Sequence, residues 1–158
     1  MGRRMLLAAL MPLAAACGGG GDGAPILARA REGLRHVGSA PVHLKVSVQT
    51  PVPIRRSFEV RADRLPKLYL TRWAKSPTRI ACAQGLDCAR ADVDVDAALG
   101  ALGRVLPSLP VDPKDVHDAQ VDLAVDKNGR TRYLHLHGNV RVTLLGDVPL
   151  EANLDVEP

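Results

Sequence analysis

The sequence predicts an α+β fold: a curved antiparallel sheet of about seven strands, forming an open half-barrel, covered by two helices. Three observations carry this. Helical periodicity is confined to two segments, residues 25–37 and 94–106. Apolar and polar residues alternate with a period of two in several others, most clearly 42–48 and 121–156. The turns between the later stretches are short and rich in Gly, Asn and Asp, as in hairpins joining antiparallel neighbours.

The first helix is expected over Pro25–Val37. Leu27, Ala30, Leu34 and Val37 share one face, while Arg29, Arg31, Glu32 and Arg35 lie elsewhere. Pro25 suits the first turn, Gly38 suits the position just past the end, and Gly33 weakens the interior. Val42, Leu44, Val46 and Val48 then alternate with His43, Lys45 and Ser47, a half-buried strand. Pro51 and Pro53 mark a turn. A second strand is expected over Arg56–Ala62, with Phe58, Val60 and Ala62 on one face. Leu65–Trp73 reads as a third, shorter strand that Pro66 confines to an edge or bulge.

Ala74–Asp92 reads as irregular. The second helix follows, its stripe formed by Val95, Ala98, Leu99, Leu102, Val105 and Leu106. Asp92 or Asp94 serves as N-cap, and Pro107 stops the helix. Val121, Leu123 and Val125 alternate up to the turn Asp126-Lys127-Asn128-Gly129. Leu134 and Leu136 come next, with Tyr133, His135 and His137 on the other face. Turns at Gly138-Asn139 and Gly146-Asp147 complete an expected four-stranded meander, its last two strands carrying Val140, Val142, Leu144 and then Val148–Val156.

The N-terminus carries an address. Arg3 and Arg4 precede an apolar run from Met5 to Ala16, which Pro12 interrupts. That run is shorter than the roughly 20 residues a spanning helix needs, so residues 1–16 read as a cleaved lipoprotein signal peptide. Cys17 follows small residues and is the expected lipidation site. Residues 17–24 are then a lipidated Cys and Gly-rich tether, and residues 25–158 the folded domain. Several acyl chains on Cys17 would hold the exported protein to the outer face of the cytoplasmic membrane or to the outer membrane. Ala14-Ala15-Ala16 also satisfies ordinary signal peptidase, and that route leaves Cys17 unlipidated. Removing residues 1–16 leaves 142 of the 158 residues, with Lys plus Arg falling from 21 to 19 against 17 acids. The remaining charge, about +2, and the lack of a basic block with interleaved aromatics give no nucleic-acid reading.

Apolar residues make up 46% of the chain and aromatic ones 3%, so Val, Leu and Ala must build the core. Cys82 and Cys88 flank Gly85, an even pair in an oxidising compartment, and a local disulfide is expected between them. Two unpaired thiols are the alternative.

No residue pattern asks for catalysis. Ser39, Ser47, Ser57, Ser76 and Ser108 stand outside any Gly-x-Ser-x-Gly context, and no phosphate-cradling loop precedes a helix. His135 and His137 share a strand face at a spacing that metal ligands use, with His117 or His43 as third ligand; a solvated face explains them as well. Asp92, Asp94 and Asp96 suit a helix start, and the distal Glu of a calcium loop is absent. Neither an enzyme nor a cofactor or metal is expected.

Leu34-Arg35-His36-Val37-Gly38-Ser39-Ala40 running into Val42–Val46 resembles the helix-to-strand joint of LolA-like lipoprotein carriers, including the mycobacterial LppX and LprG group. Val121–Arg130 through Leu134–Gly138 resembles the late hairpin of that family. The resemblance spans most of residues 25–158, on a chain shorter than typical members. It implies a lipidic ligand held in an apolar cavity between helices and sheet. Its lining would come from the inward set Val42, Leu44, Val46, Val48, Phe58 and Val60, with Val95, Leu99 and Leu102 from the second helix. The same residues could instead fill a dry core. The chain would then be an interaction or scaffolding module presenting Arg132, Tyr133, His135 and His137 to a partner.

Overall fold

The computed structural model describes residues 22–38, 42–104 and 112–156. Cys17, the signal segment and most of the Gly-rich tract lie outside these residues, as do Val105, Leu106 and Pro107. The architecture is α+β. Seven strands form one open antiparallel sheet: β1 Val42–Val48, β2 Ile54–Val60, β3 Ala74–Ile80, β4 Leu86–Val93, β5 Val116–Asp126, β6 Thr131–Val142 and β7 Gly146–Asp155. Their order is β2-β1-β7-β6-β5-β4-β3, so the first and last strands are neighbours and β2 and β3 are the edges. Among the described residues three α-helices, α1 Ala24–Gly33, α2 Leu70–Trp73 and α3 Val95–Leu102, accompany it.

Alternation explains the register. Leu44 pairs with Phe58 on one side and Leu154 on the other. Leu154 faces Leu134, Leu134 faces Leu123, and Leu123 faces Ala89. Directly opposed residues share a sheet face, so this row crosses six strands as one apolar rib. A second rib runs Val46, Ala152, Leu136, Val121, Ala91. A one-residue slip would turn each rib to water, which fixes the pairing.

α1 covers part of this face. Ile26, Leu27, Ala30 and Leu34 are buried, at the spacing of a single helical stripe. The helix ends at Gly33, earlier than the expected Val37. The backbone of Asp22 and Gly23, assigned to the tether by sequence, is already held by β3: Asp22 bridges Thr78, and the Gly23 amide donates to the Pro77 carbonyl at 3.1 Å.

Three expectations are corrected. Leu65–Trp73 is no strand: Ala62–Leu68 forms a 3-10 helix, Tyr69 turns left-handed at φ 47°, and α2 follows. The burial of Leu65, Leu68, Leu70 and Trp73 follows a helical rather than an alternating step, and the Trp73 indole N–H donates to the Leu68 carbonyl at 2.6 Å. Ala74–Asp92 is not irregular, for it supplies β3 and β4. Pro77 sits in β3 where the register with β4 shifts between Lys75 and Thr78, so an edge strand absorbs a residue without an N–H. Finally, Gly138-Asn139 is not a turn. β6 runs through it, and the late meander has three strands. Gly138 lies against a bulge in β5, where a Cβ would sit 3.1 Å from the Ala119 Cα; a small residue is needed there.

Candidate ligand cleft and polar sheet face

The 3-10 helix, α2 and α3 roof the part of the apolar face that α1 leaves open. Beneath them lies a cleft of about 30 Å³ with a wholly apolar lining. Leu44, Val121, Leu134, Leu136, Ala152 and Leu154 rise from the sheet and Val60 from the end of β2, while Leu68, Trp73 and Leu102 close it from above. Of the nine residues expected to line a cavity, Leu44, Val60 and Leu102 meet here. Val42, Val46 and Val48 are buried in the core, away from the cleft wall, and Phe58, Val95 and Leu99 are half-buried against the core. Leu68, Trp73, Val121, Leu134, Leu136, Ala152 and Leu154 are outside the expected lining.

The two covers are held differently. On α1, Arg29 donates to the Asp87 carboxylate at 2.7 Å and to the Asp126 carbonyl at 2.8 Å. The Thr131 hydroxyl donates to the Ala30 carbonyl at 2.7 Å. α3 is tied through its start: the Asp94 amide donates to the Trp73 carbonyl at 2.8 Å, and the Asp94 carboxylate accepts from the Ala97 amide at 3.1 Å. Val95, Leu99 and Leu102 stay half-buried, so an apolar helix keeps part of its stripe in water beside an apolar cleft. Asp94 is thus the N-cap, Asp96 lies in the first turn, and Asp92 accepts from the Gln120 side chain at 3.2 Å.

The opposite sheet face is polar and paired. Arg90 grips Asp122 with two hydrogen bonds of 2.6 and 2.7 Å, which hold the guanidinium charged. His137 stands 3.8 Å from Asp122, His135 is 2.8 Å from Asp155, and His117 is 3.1 Å from Asp147. Tyr133 stacks on His135 with ring centroids 4.3 Å apart. Burial, then the Asp122 charge, pushes the Tyr133 hydroxyl above its ordinary range. These three histidines each stand beside a carboxylate, that of His137 being shared with Arg90, and among the described residues no three His, Cys, Asp or Glu side chains are grouped to hold a metal. Arg132 pairs with Asp126 at 3.8 Å, apart from the histidines.

Cys82 and Cys88 stand at disulfide distance, Cα atoms 6.0 Å apart, across the turn into β4. The Tyr133 hydroxyl lies 3.4 Å from the Cys88 sulfur. No described helix is long and apolar enough to cross a membrane. Compared with known proteins, the chain matches no family model, no curated protein and no solved structure.

Proposed function

We propose that this chain is an exported lipoprotein, anchored through Cys17, that binds or carries an apolar ligand such as an acyl chain between α3 and the sheet. The observation that carries the reading is the wholly apolar cleft beneath a helix whose own apolar stripe is half-exposed. About 30 Å³ is room for no more than a few waters, so a chain of methylenes enters only as the roof shifts. α3 is the element that can shift, since among the described residues it lacks the lateral ties of α1. Each methylene buried contributes about 0.8 kcal/mol, so a handful offsets the cost of parting α3 from Leu68 and Trp73. The resemblance to LolA-like carriers supports the same reading. The mechanism is non-covalent and uses no catalytic group.

One observation favours a second reading. Val52 and Ile54 on the β1–β2 hairpin and Leu144 and Leu145 on the β6–β7 turn are exposed, Leu144 fully. β1 and β7 are neighbours, so both tips crown one end of the sheet. An interaction module with a filled core would dock through them.

Native mass spectrometry of the purified protein, with organic extraction, separates the two. A stoichiometric lipid that disappears in Leu102→Trp without unfolding supports the carrier. A clean apo mass, with no uptake of added fatty acid or phospholipid, overturns it and turns attention to the tips.

A further inference from the structure

The segment whose Leu68 and Trp73 roof the cleft also borders a second hollow, of about 290 Å³, against the C-terminal part of α1. Arg31 enters it from α1 and Arg35 from the turn that follows it, Lys67 and Arg72 from the facing segment, and no carboxylate lines it. Arg35 shares Glu32 at 3.4 Å. Arg31, Lys67 and Arg72 make no ion pair among the described residues. The adjoining groove beyond Arg35 is different, for Glu59, Asp63 and Arg61 mix both signs there, and Arg61 is bonded to Asp63.

Favourable interaction with the carbonyl end of α1 accounts for a cation at Arg31. It does not account for Lys67 and Arg72, which belong to another element. Tyr69 joins that element's two halves in a left-handed conformation that bulky residues rarely take. The turn sets its ring under two guanidinium groups, Arg72 at 4.4 Å from the centroid and Arg104 at 5.3 Å. Stacking occupies the face of a guanidinium and leaves the N–H fork at its edge free for an acceptor. Cations gathered without counter-charge repel one another, and an anion with several oxygens relieves them together.

We infer that the hollow between α1 and the Lys67–Arg72 segment is a binding site for a phosphoryl group, with Arg31, Arg35, Lys67 and Arg72 as its ligands. A phosphoryl group brings three acceptor oxygens and up to two negative charges, against a carboxylate's two oxygens and single charge, and so matches a cluster of cations from two elements better. The group comes from a phospholipid headgroup or from a soluble phosphate ester. The site needs no ligand in the apolar cleft.

Amide NMR on the purified protein tests this, with inorganic phosphate titrated against chloride at constant ionic strength. Saturable shifts are expected at residues 31–35 and 67–72, weakened at least about tenfold in the Arg31→Gln/Arg72→Gln double variant and unchanged in Arg56→Gln. Should the double variant lose its fold, Lys67→Gln alone reads the same site. Short-chain phosphatidylglycerol binding about tenfold tighter than glycerol phosphate identifies a headgroup, and equal affinities identify a soluble ester. Linear shifts up to about 10 mM phosphate, or saturable ones the variants leave intact, overturn the assignment.

Discussion

Gly33 and Thr131 meet with no room between them. A Cβ on Gly33 would lie 2.5 Å from the Thr131 hydroxyl oxygen, 2.6 Å from its amide nitrogen and 2.7 Å from the Gly129 carbonyl. The end of α1 therefore presses backbone to backbone onto the β5–β6 turn. Helix propensity alone favours Ala over Gly by about 1 kcal/mol. Overpacking a site of this kind costs about 1–3 kcal/mol. Two of the three obstructing atoms are backbone, so the second effect wins. Gly33→Ala should lower stability in urea unfolding by about 1 kcal/mol or more. A gain in stability would show that the turn yields and that the close approach is incidental.

Arg29 makes the same attachment sensitive to acid. Its hydrogen bond, the largest influence, holds the Asp87 carboxyl below the ordinary value of 3.8. A depressed folded value means stability that is present above the ordinary value and lost as pH falls through the folded one. Asp147, lowered first by Arg141 and then by His117, acts in the same direction. Thermal midpoints should therefore fall below about pH 4. Arg29→Gln should melt lower than the natural chain at pH 6, and the gap should narrow as pH drops. A small pH-independent remainder will persist, because the bond from Arg29 to the Asp126 carbonyl is lost as well. A gap of constant size from pH 6 to acid would refute the Asp87 account.

Cys82 is exposed and Cys88 buried, so the bridge is best removed from the Cys82 side. The two are six residues apart in sequence. A loop so short constrains the unfolded chain by about 2 kcal/mol. Cys82→Ser should lower the melting midpoint by about 6 °C, and a reductant should bring the natural chain down to the same level while leaving the variant unmoved. A natural chain indifferent to reductant would mean that the cysteines are unpaired.

The legible parts of the fold were those where one face is dry and the other wet. β1 reads cleanly because each inward Val or Leu is followed by a polar or exposed residue. β4 does not, since Cys88 and Ala89 are buried on successive positions, one near Tyr133 and one opposite Leu123, and small residues blur the alternation. β3 has only Ala74 and Ile80 as apolar residues around a proline, and its strand character comes from pairing with β4. Gly138 looked like a turn because glycine in a strand has two explanations, and the bulge it accommodates is on another strand. In the candidate cleft, the sheet contribution was partly visible through Leu44, and the helical one through Leu102. Leu68 and Trp73 were hidden by reading their segment as extended, although the three-residue step from Leu65 to Leu68 was available as a signal. The basic hollow left no trace in sequence because Arg31 and Arg72 become neighbours only through the docking of two elements.

α3 should be the mobile cover. Its hydrogen-bonded start is anchored at Asp94, its larger apolar residues Val95, Leu99 and Leu102 are half-buried, and among the described residues nothing like the Arg29 or Thr131 ties holds its side. Local opening follows the amount of buried apolar contact and side-chain anchoring, so α3 amides should exchange with solvent faster than those of α1. Asp94→Ala removes the cap, which stabilises such a helix by about 1 kcal/mol, while leaving the backbone bond to Trp73 in place. Exchange in α3 should then rise about fivefold with α1 unchanged. If α3 gates the cleft and opens only rarely, the same variant should take up added fatty acid faster by a similar factor, because the open fraction sets the apparent access. Exchange of α3 and α1 together, at one common rate, would mean that the roof opens only when the whole domain unfolds. The cleft would then be sealed in the native state.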